Sequence, residues 1–302
     1  MNKLWGIDLG GTKIEGVVLK TADEPELLIR ERMPSEVQKG YDHILERIKT
    51  LLDTISSKIG ESPTILGIGT PGSIEPATGL LKNSNSTALN HMPFLADIQS
   101  MLGIPVVMAN DANCFALAEA NMGIVKQVAP DASIVFGVIM GTGAGGGVVV
   151  NGKVLNGHQG IAGEWGHNYL DESGGKCYCG KYGCVETVIS GPALERYYES
   201  ISGEKRSLKE IYQGHLSGSN QFADQTMDRL IHFFGLGLSN VVNILDPDVF
   251  VIGGGVGNID LLYSRGVEEI SKYVFNPTFS TRIVKPSLGD SAGVFGAAFL
   301  TA

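Results

Sequence analysis

One pattern occurs twice in this chain, and it limits the fold more than any other feature. GIDLGGTKIEGVVL at 6–19 and GVIMGTGAGGGVVV at 137–150 align at an offset of 131 residues. Gly6/Gly137, Gly10/Gly141, Gly16/Gly147, Val17/Val148 and Val18/Val149 coincide. Each copy reads as strand, glycine-rich turn, strand. The chain holds 41 glycines, so chance matching and plain hairpins are the alternatives. The preferred reading is a duplicated hairpin unit, one per half, whose turns face each other across a cleft, with a boundary near residue 110.

The rest of the chain fits a layered α/β architecture. KLWGIDL, IEGVVLK, ELLIRER, TILGIGT, IPVVMAN, SIVFGVIM, GGGVVV and VFVIGG read as strands. YDHILERIKTLLDTISSKI, FLADIQSML and DANCFALAEANMG carry apolar residues at helical spacing. The longest helical pattern covers about 218–245 and stops before Pro247. GVFGAAFLTA at the end reads as a small-residue helix. Such alternation implies α/β layers with largely buried strands. No apolar run reaches membrane-spanning length, and MNKLWGIDLGG lacks a signal-like stretch, so a cytoplasmic protein without a membrane partner is expected. A net charge of −9 without a basic cluster argues against nucleic acid.

Glycine turns present backbone N–H groups with no side chain in the way, a nest for anionic oxygen. Two in register, with IGGGV at 252–256 after a third buried strand, point to phosphate or nucleotide binding. The Walker pattern is absent, and GTGAGG runs into a Val-rich strand rather than a helix. Asp8, just before Gly10-Gly11-Thr12-Lys13, can hold Mg²⁺ through water or cap the turn. Thr12 can donate to a phosphate, and Lys13 is either a nearby point charge or solvated. Asn110-Asp111 stands where a strand gives way to a helix. It serves as a cap, or it puts a carboxylate at the strand's C-terminal edge, where α/β sheets bind ligands. There Asp111 can accept a proton from a hydroxyl attacking a phosphoryl group.

Three of the four cysteines fall at Cys177-x-Cys179-x4-Cys184, ten positions after His167. A disulfide suits an acidic chain without a signal segment poorly, and a redox pair favours CxxC at a helix start. Three thiolates and an imidazole complete a tetrahedral structural zinc set. Cys114, in an apolar helix pattern, reads as a small core residue. A metal fixing His167 and the loop would also fix Glu164 and Glu186. With Asn85 and Asn110, these side chains suit a polyhydroxylated ligand, so the thiols are expected to hold one side of a sugar pocket.

DLGGTK, NDAN, GTGAGGG, GEWGH, CxCGxxGCxE and VIGGG, in this order, resemble the ROK family of bacterial sugar kinases and sugar-responsive repressors. The resemblance covers essentially the whole chain. It implies an actin-like, hexokinase-type (RNase H-like) ATPase fold of two α/β domains around a central cleft. The implied domains are 1–110 with a C-terminal helix at about 290–302, and 111–289 with the zinc loop. It implies ATP with Mg²⁺, a structural Zn²⁺ and a homodimer. By position it makes Asp111 the catalytic base, and Asn85, Asn110, Asp111, Glu164, His167 and Glu186 the sugar-binding residues. Gly10, Gly11, Thr12, Lys13, Gly141, Thr142 and Gly143 would meet the ATP phosphates, Gly254 and Gly255 the adenosine, and Asp8 the Mg²⁺. His167, Cys177, Cys179 and Cys184 would ligate zinc. KNSNSTALNHMPF at 82–94 is similar to fructokinase and mannokinase members, which makes fructose the expected hexose, with glucose and N-acetylglucosamine as rivals. A sugar-responsive regulator is the reading from another class; only seven residues precede Asp8, so its helix-turn-helix domain is not expected.

Overall fold

The computed structural model describes residues 2–302. Among them, two five-stranded sheets share one connectivity. The first contains β1 (Leu4–Leu9), β2 (Lys13–Leu19), β3 (Leu27–Pro34), β4 (Leu66–Thr70) and β7 (Val106–Asn110), in the order β3-β2-β1-β4-β7. The second contains β8 (Ile134–Met140), β9 (Ala144–Val150), β10 (Lys153–Val154), β11 (Val249–Gly253) and β12 (Arg282–Val284), in the order β10-β9-β8-β11-β12. β2 and β9 occupy equivalent registers at the offset found in the sequence. In each sheet the hairpin is followed by parallel strands: β1 with β4 with β7, and β8 with β11 with β12. A small hairpin, β5 (Ser73–Ile74) with β6 (Leu81–Lys82), had no sequence signal.

The helices are α1 (Tyr41–Ile59), α2 (Phe94–Leu102), α3 (Asp111–Asn121), α4 (Ile124–Val128), α5 (Val185–Ile189), α6 (Gly191–Ser202), α7 (Leu208–Leu216), α8 (Gln221–Leu245), α9 (Arg265–Ser271) and α10 (Ala292–Phe299). α1 turns Ile44, Leu45, Ile48, Leu51, Leu52 and Ile55 inward at helical spacing. These pack on Ile7, Leu9, Ile14 and Ile68 of the first sheet. α8 ends at Asp246 in the left-handed conformation, one residue before Pro247 forbids more helix. None of the described helices is long and apolar enough to cross a membrane.

The chain forms two compact units. One holds the residues up to Pro130 with Gly147–Ala162 and Ser287–Ala302; the other holds Asp131–Gly146 and Gly163–Pro286. The line falls after Pro130 rather than near residue 110 because α3 rests on α10, backbone against backbone. A Cβ on Gly296 would strike the Cys114 carbonyl, and one on Gly6 or Gly67 would strike the α10 backbone. Glu119, fully buried on α3, accepts hydrogen bonds from the amides of Ile124 (3.0 Å), Ser287 (3.0 Å) and Leu288 (2.9 Å). This carboxylate fastens the returning C-terminal segment into the first unit. Gly6, Gly67 and Gly296 are therefore needed for close backbone packing rather than for turns.

Candidate active site and metal centre

In the first unit the polar residues gather at the C-terminal ends of the parallel strands. Asp8 is the penultimate residue of β1, and Gly10 closes the turn by donating its N–H to the Lys13 carbonyl at 2.9 Å. Asn110 ends β7 and caps α3, its Oδ1 accepting from the Asn113 N–H at 2.7 Å. Asp111 follows as the first residue of α3, with Oδ1 taking the Ala112 N–H at 2.8 Å. The capping role considered for this pair is therefore real, and it leaves the second Asp111 oxygen clear of that bond.

A cavity of about 450 Å³ is lined by Asp8, Gly10, Gly11, Asn85 and Asp111, together with Gln38, Pro71, Ser86 and Thr87. Burial, the charge of Asp111 and that of Glu15 push the Asp8 carboxyl up to about 6, against the pull of Lys13. Asp111 opens onto the cavity, yet the protein crowding it raises its carboxyl as well, against the amide bond that lowers it. Lys13 reaches Glu15 at 3.5 Å, and Glu15 is buried with Arg32 at 2.8 Å and with Arg30. The lysine's charge is thus partly engaged away from the turn. Thr12 is exposed on the turn, its carbonyl accepting from the Ser35 N–H at 3.1 Å. Gln38 and Thr87 were missed by the sequence reading. Thr87 lies within KNSNSTALN and could have been taken from it, whereas Gln38 carries no local signal.

In the second unit the corresponding strand ends carry glycines. Gly141, Thr142 and Gly143 link β8 to β9, with the Gly141 N–H donating to the Gly143 carbonyl at 2.9 Å. Gly254 and Gly255 follow β11. Gly254 has φ +82°, and a Cβ there would collide with the Met140 backbone, so only glycine brings the two turns together. Glu186, near the start of α5, lies under the first turn and accepts the Ala144 N–H at 3.1 Å. A Cβ on Gly143 would sit 2.5 Å from its Oε2.

The GEWGH segment is pinned to this sheet by Trp165. Its indole N–H donates to the Gly145 carbonyl at 2.9 Å, and its ring meets Phe136 edge-on. Glu164 stands just before the short turn Trp165–His167 and is half-buried. From there His167 and the three cysteines converge, their ligand atoms all within 4.8 Å of one another. Cys179 Sγ and Cys184 Sγ are 3.7 Å apart, as are Cys177 Sγ and His167 Nδ1. A disulfide would need about 2.05 Å, and all four cysteines are free. Two sulfurs about 2.3 Å from a tetrahedral zinc stand about 3.8 Å apart. The donor set and its spacing therefore fit zinc. Gly183, at φ +67°, lets the loop fold back, since a Cβ there would press on the Asp171 carbonyl at 2.6 Å. Cys114 is fully buried, in keeping with a core role.

Carboxylates at strand ends, glycine turns at both sheets and a closed Cys₃His set together define an α/β protein equipped for phosphate chemistry. The chain belongs to the ROK family, whose sequence profile matches residues 4–302. It is 36% identical to the N-acetyl-D-glucosamine kinase of Haemophilus influenzae (strain 86-028NP), over 98% of each chain. Its structure matches a ROK hexokinase from Thermus thermophilus with a TM-score of 0.88 and 31% identity, covering 100% of this chain and 98% of that one. A ROK family glucokinase from Streptomyces griseus, solved with glucose and AMPPNP, matches with a TM-score of 0.74 and 26% identity over 99% of each chain. The expected actin-like, hexokinase-type fold is thus borne out.

Proposed function

We propose that this chain is an ATP-dependent hexose kinase acting in the cytoplasm, with Asp111 as the general base. The observation that carries the reading is the single cavity holding Asp8, Asp111, Asn85 and the Gly10-Gly11 turn at the parallel-strand ends. Asp111 is held by the Ala112 amide and raised by crowding, which makes it a better proton acceptor than an ordinary carboxylate near neutral pH. It would take the proton of the sugar hydroxyl as that oxygen attacks the terminal phosphoryl group of ATP. Gly10, Gly11 and Thr12, and Gly141, Thr142 and Gly143, would offer N–H and O–H donors to phosphate oxygens. Gly254 and Gly255 would lie by the adenosine. Asp8 would hold Mg²⁺, which when bound neutralises phosphate charge. Asn85, Asn110, Glu164, His167 and Glu186 would hydrogen-bond the sugar.

His167, Cys177, Cys179 and Cys184 would hold zinc. Four protein ligands leave no open position, so the metal stiffens the loop and does not act as an electrophile. N-Acetyl-D-glucosamine is the first sugar to test, because the 36% identical relative bears that activity in its name. Fructose, suggested by the sequence around residues 82–94, is the second, and glucose the third. ADP release measured over these hexoses and mannose tests the reading. Turnover with at least one is expected, and silence with all of them would overturn it.

A further inference from the structure

His167 has two nitrogens, and both are committed. Nδ1 faces Cys177 Sγ at 3.7 Å, inside the four-ligand set. Nε2 lies 3.0 Å from the hydroxyl of Tyr178, and the two rings meet edge-on, 5.2 Å between centres at 85°. With Nδ1 on a metal, Nε2 carries the ring's one N–H, and the Tyr178 oxygen accepts it. Tyr178 stands between two of the cysteines, so the loop holds its backbone while its side chain remains 76% exposed. Among the described residues, His167 is the one ring it packs against. Its side chain also lines a cavity of about 470 Å³ with Glu186, Thr142 and Ser190.

We infer that Tyr178 is a specificity-determining residue that competes with the sugar for the outward N–H of His167. The inference rests on the kinase reading, in which His167 meets the substrate. One N–H serves one acceptor well, so a hexose oxygen can take it only by displacing the phenol. Because the ring is exposed, displacement costs little more than that hydrogen bond. The cost falls only on sugars that place an acceptor at His167. Tyr178 therefore lowers affinity for hexoses that use this nitrogen and leaves those that do not untouched, which narrows the difference between them.

The test is Tyr178→Phe, which keeps the ring and its edge contact but removes the competing oxygen. Wild-type turnover on the hexose panel first settles the kinase reading independently of this variant. For the preferred hexose, KM of Tyr178→Phe should fall about three- to tenfold, the equivalent of one neutral hydrogen bond, with kcat nearly unchanged. Among the monodeoxy analogues of that hexose, the one lacking the oxygen that reaches His167 should show no gain. Metal content, measured by elemental analysis, should be the same in both proteins. As a second readout, the ¹⁵N resonance of His167 Nε2 in the wild type should move on sugar addition, while in Tyr178→Phe it should start from a solvent-like position. An unchanged or raised KM for the preferred hexose, or an equal gain for every analogue, would overturn the inference.

Discussion

The two sheets are built to one plan and equipped with different chemistry. Each sets a glycine hairpin beside parallel strands and carries its candidate site residues at the strands' C-terminal ends. In the first, those ends carry carboxylates, Asp8 and Asp111, held by the strand and helix that bear them. In the second, they carry glycine and threonine; Glu186 arrives on α5, and Glu164, His167 and the three cysteines on irregular chain. A side chain on a strand end is positioned by the sheet, at the expense of burying its charge. One on a loop has no sheet to hold it and needs another restraint, which on the proposed reading is a metal held by His167, Cys177, Cys179 and Cys184.

The largest difference should come from removing that restraint. Cys179→Ser, or exhaustive chelation, should take zinc from about one per chain to well below that, since structural zinc contributes folding free energy directly. Proteolysis should then cut within 163–184, whereas the first unit should resist as before. Loss of protection in both units together would show that the metal stabilises more than its own loop.

The first sheet should answer to pH. The Asp8 carboxyl, at about 6 in the folded chain, lies above the ordinary carboxylate value. The folded state therefore binds its proton more tightly than the unfolded chain does. The penalty for ionising Asp8 grows as pH rises from the ordinary carboxylate value, is complete above about pH 6, and is gone only below about pH 4. Asp8→Asn should accordingly gain ~1–3 kcal/mol at pH 7.5 and roughly half as much at pH 5, while losing turnover. Thermal melts at the two pH values check this. A stability loss at pH 7.5 would mean that the carboxylate has a favourable partner.

The smallest contrast lies between the turns themselves. A Cβ on Gly11 meets nothing within 4 Å, but one on Gly143 meets the Glu186 carboxylate. Gly11→Ala should leave the melting temperature nearly unchanged and raise KM for ATP. Gly143→Ala should cost about 1–3 kcal/mol through overpacking and displace Glu186. Equal effects on stability would erase the distinction drawn between the two hairpins.

Much of this plan was legible in the sequence, for identifiable reasons. The hairpin pair could be read because sheet packing and turns demand glycine at matching positions. The convergence of His167 with the three cysteines could be read because few arrangements place three thiols and an imidazole so close together in sequence. Contacts between distant segments carried no such mark. Nothing near Glu119 announces that it will bind amides at 287 and 288, and so the first unit reaches past residue 110. Gln38 enters the cavity from the one-turn 3-10 segment Val37–Lys39, which carries no pattern of its own. The Tyr178–His167 bond depends on a rotamer, which spacing alone does not give.

Asp111→Asn keeps the shape of the side chain and its bond to the Ala112 amide while removing the base. With hexose and ATP saturating, its ADP release should fall by about 10²–10⁴-fold, and calorimetry should find sugar affinity within a few-fold of the wild type. Turnover close to that of the unaltered protein would contradict the assignment of the proton to this carboxylate.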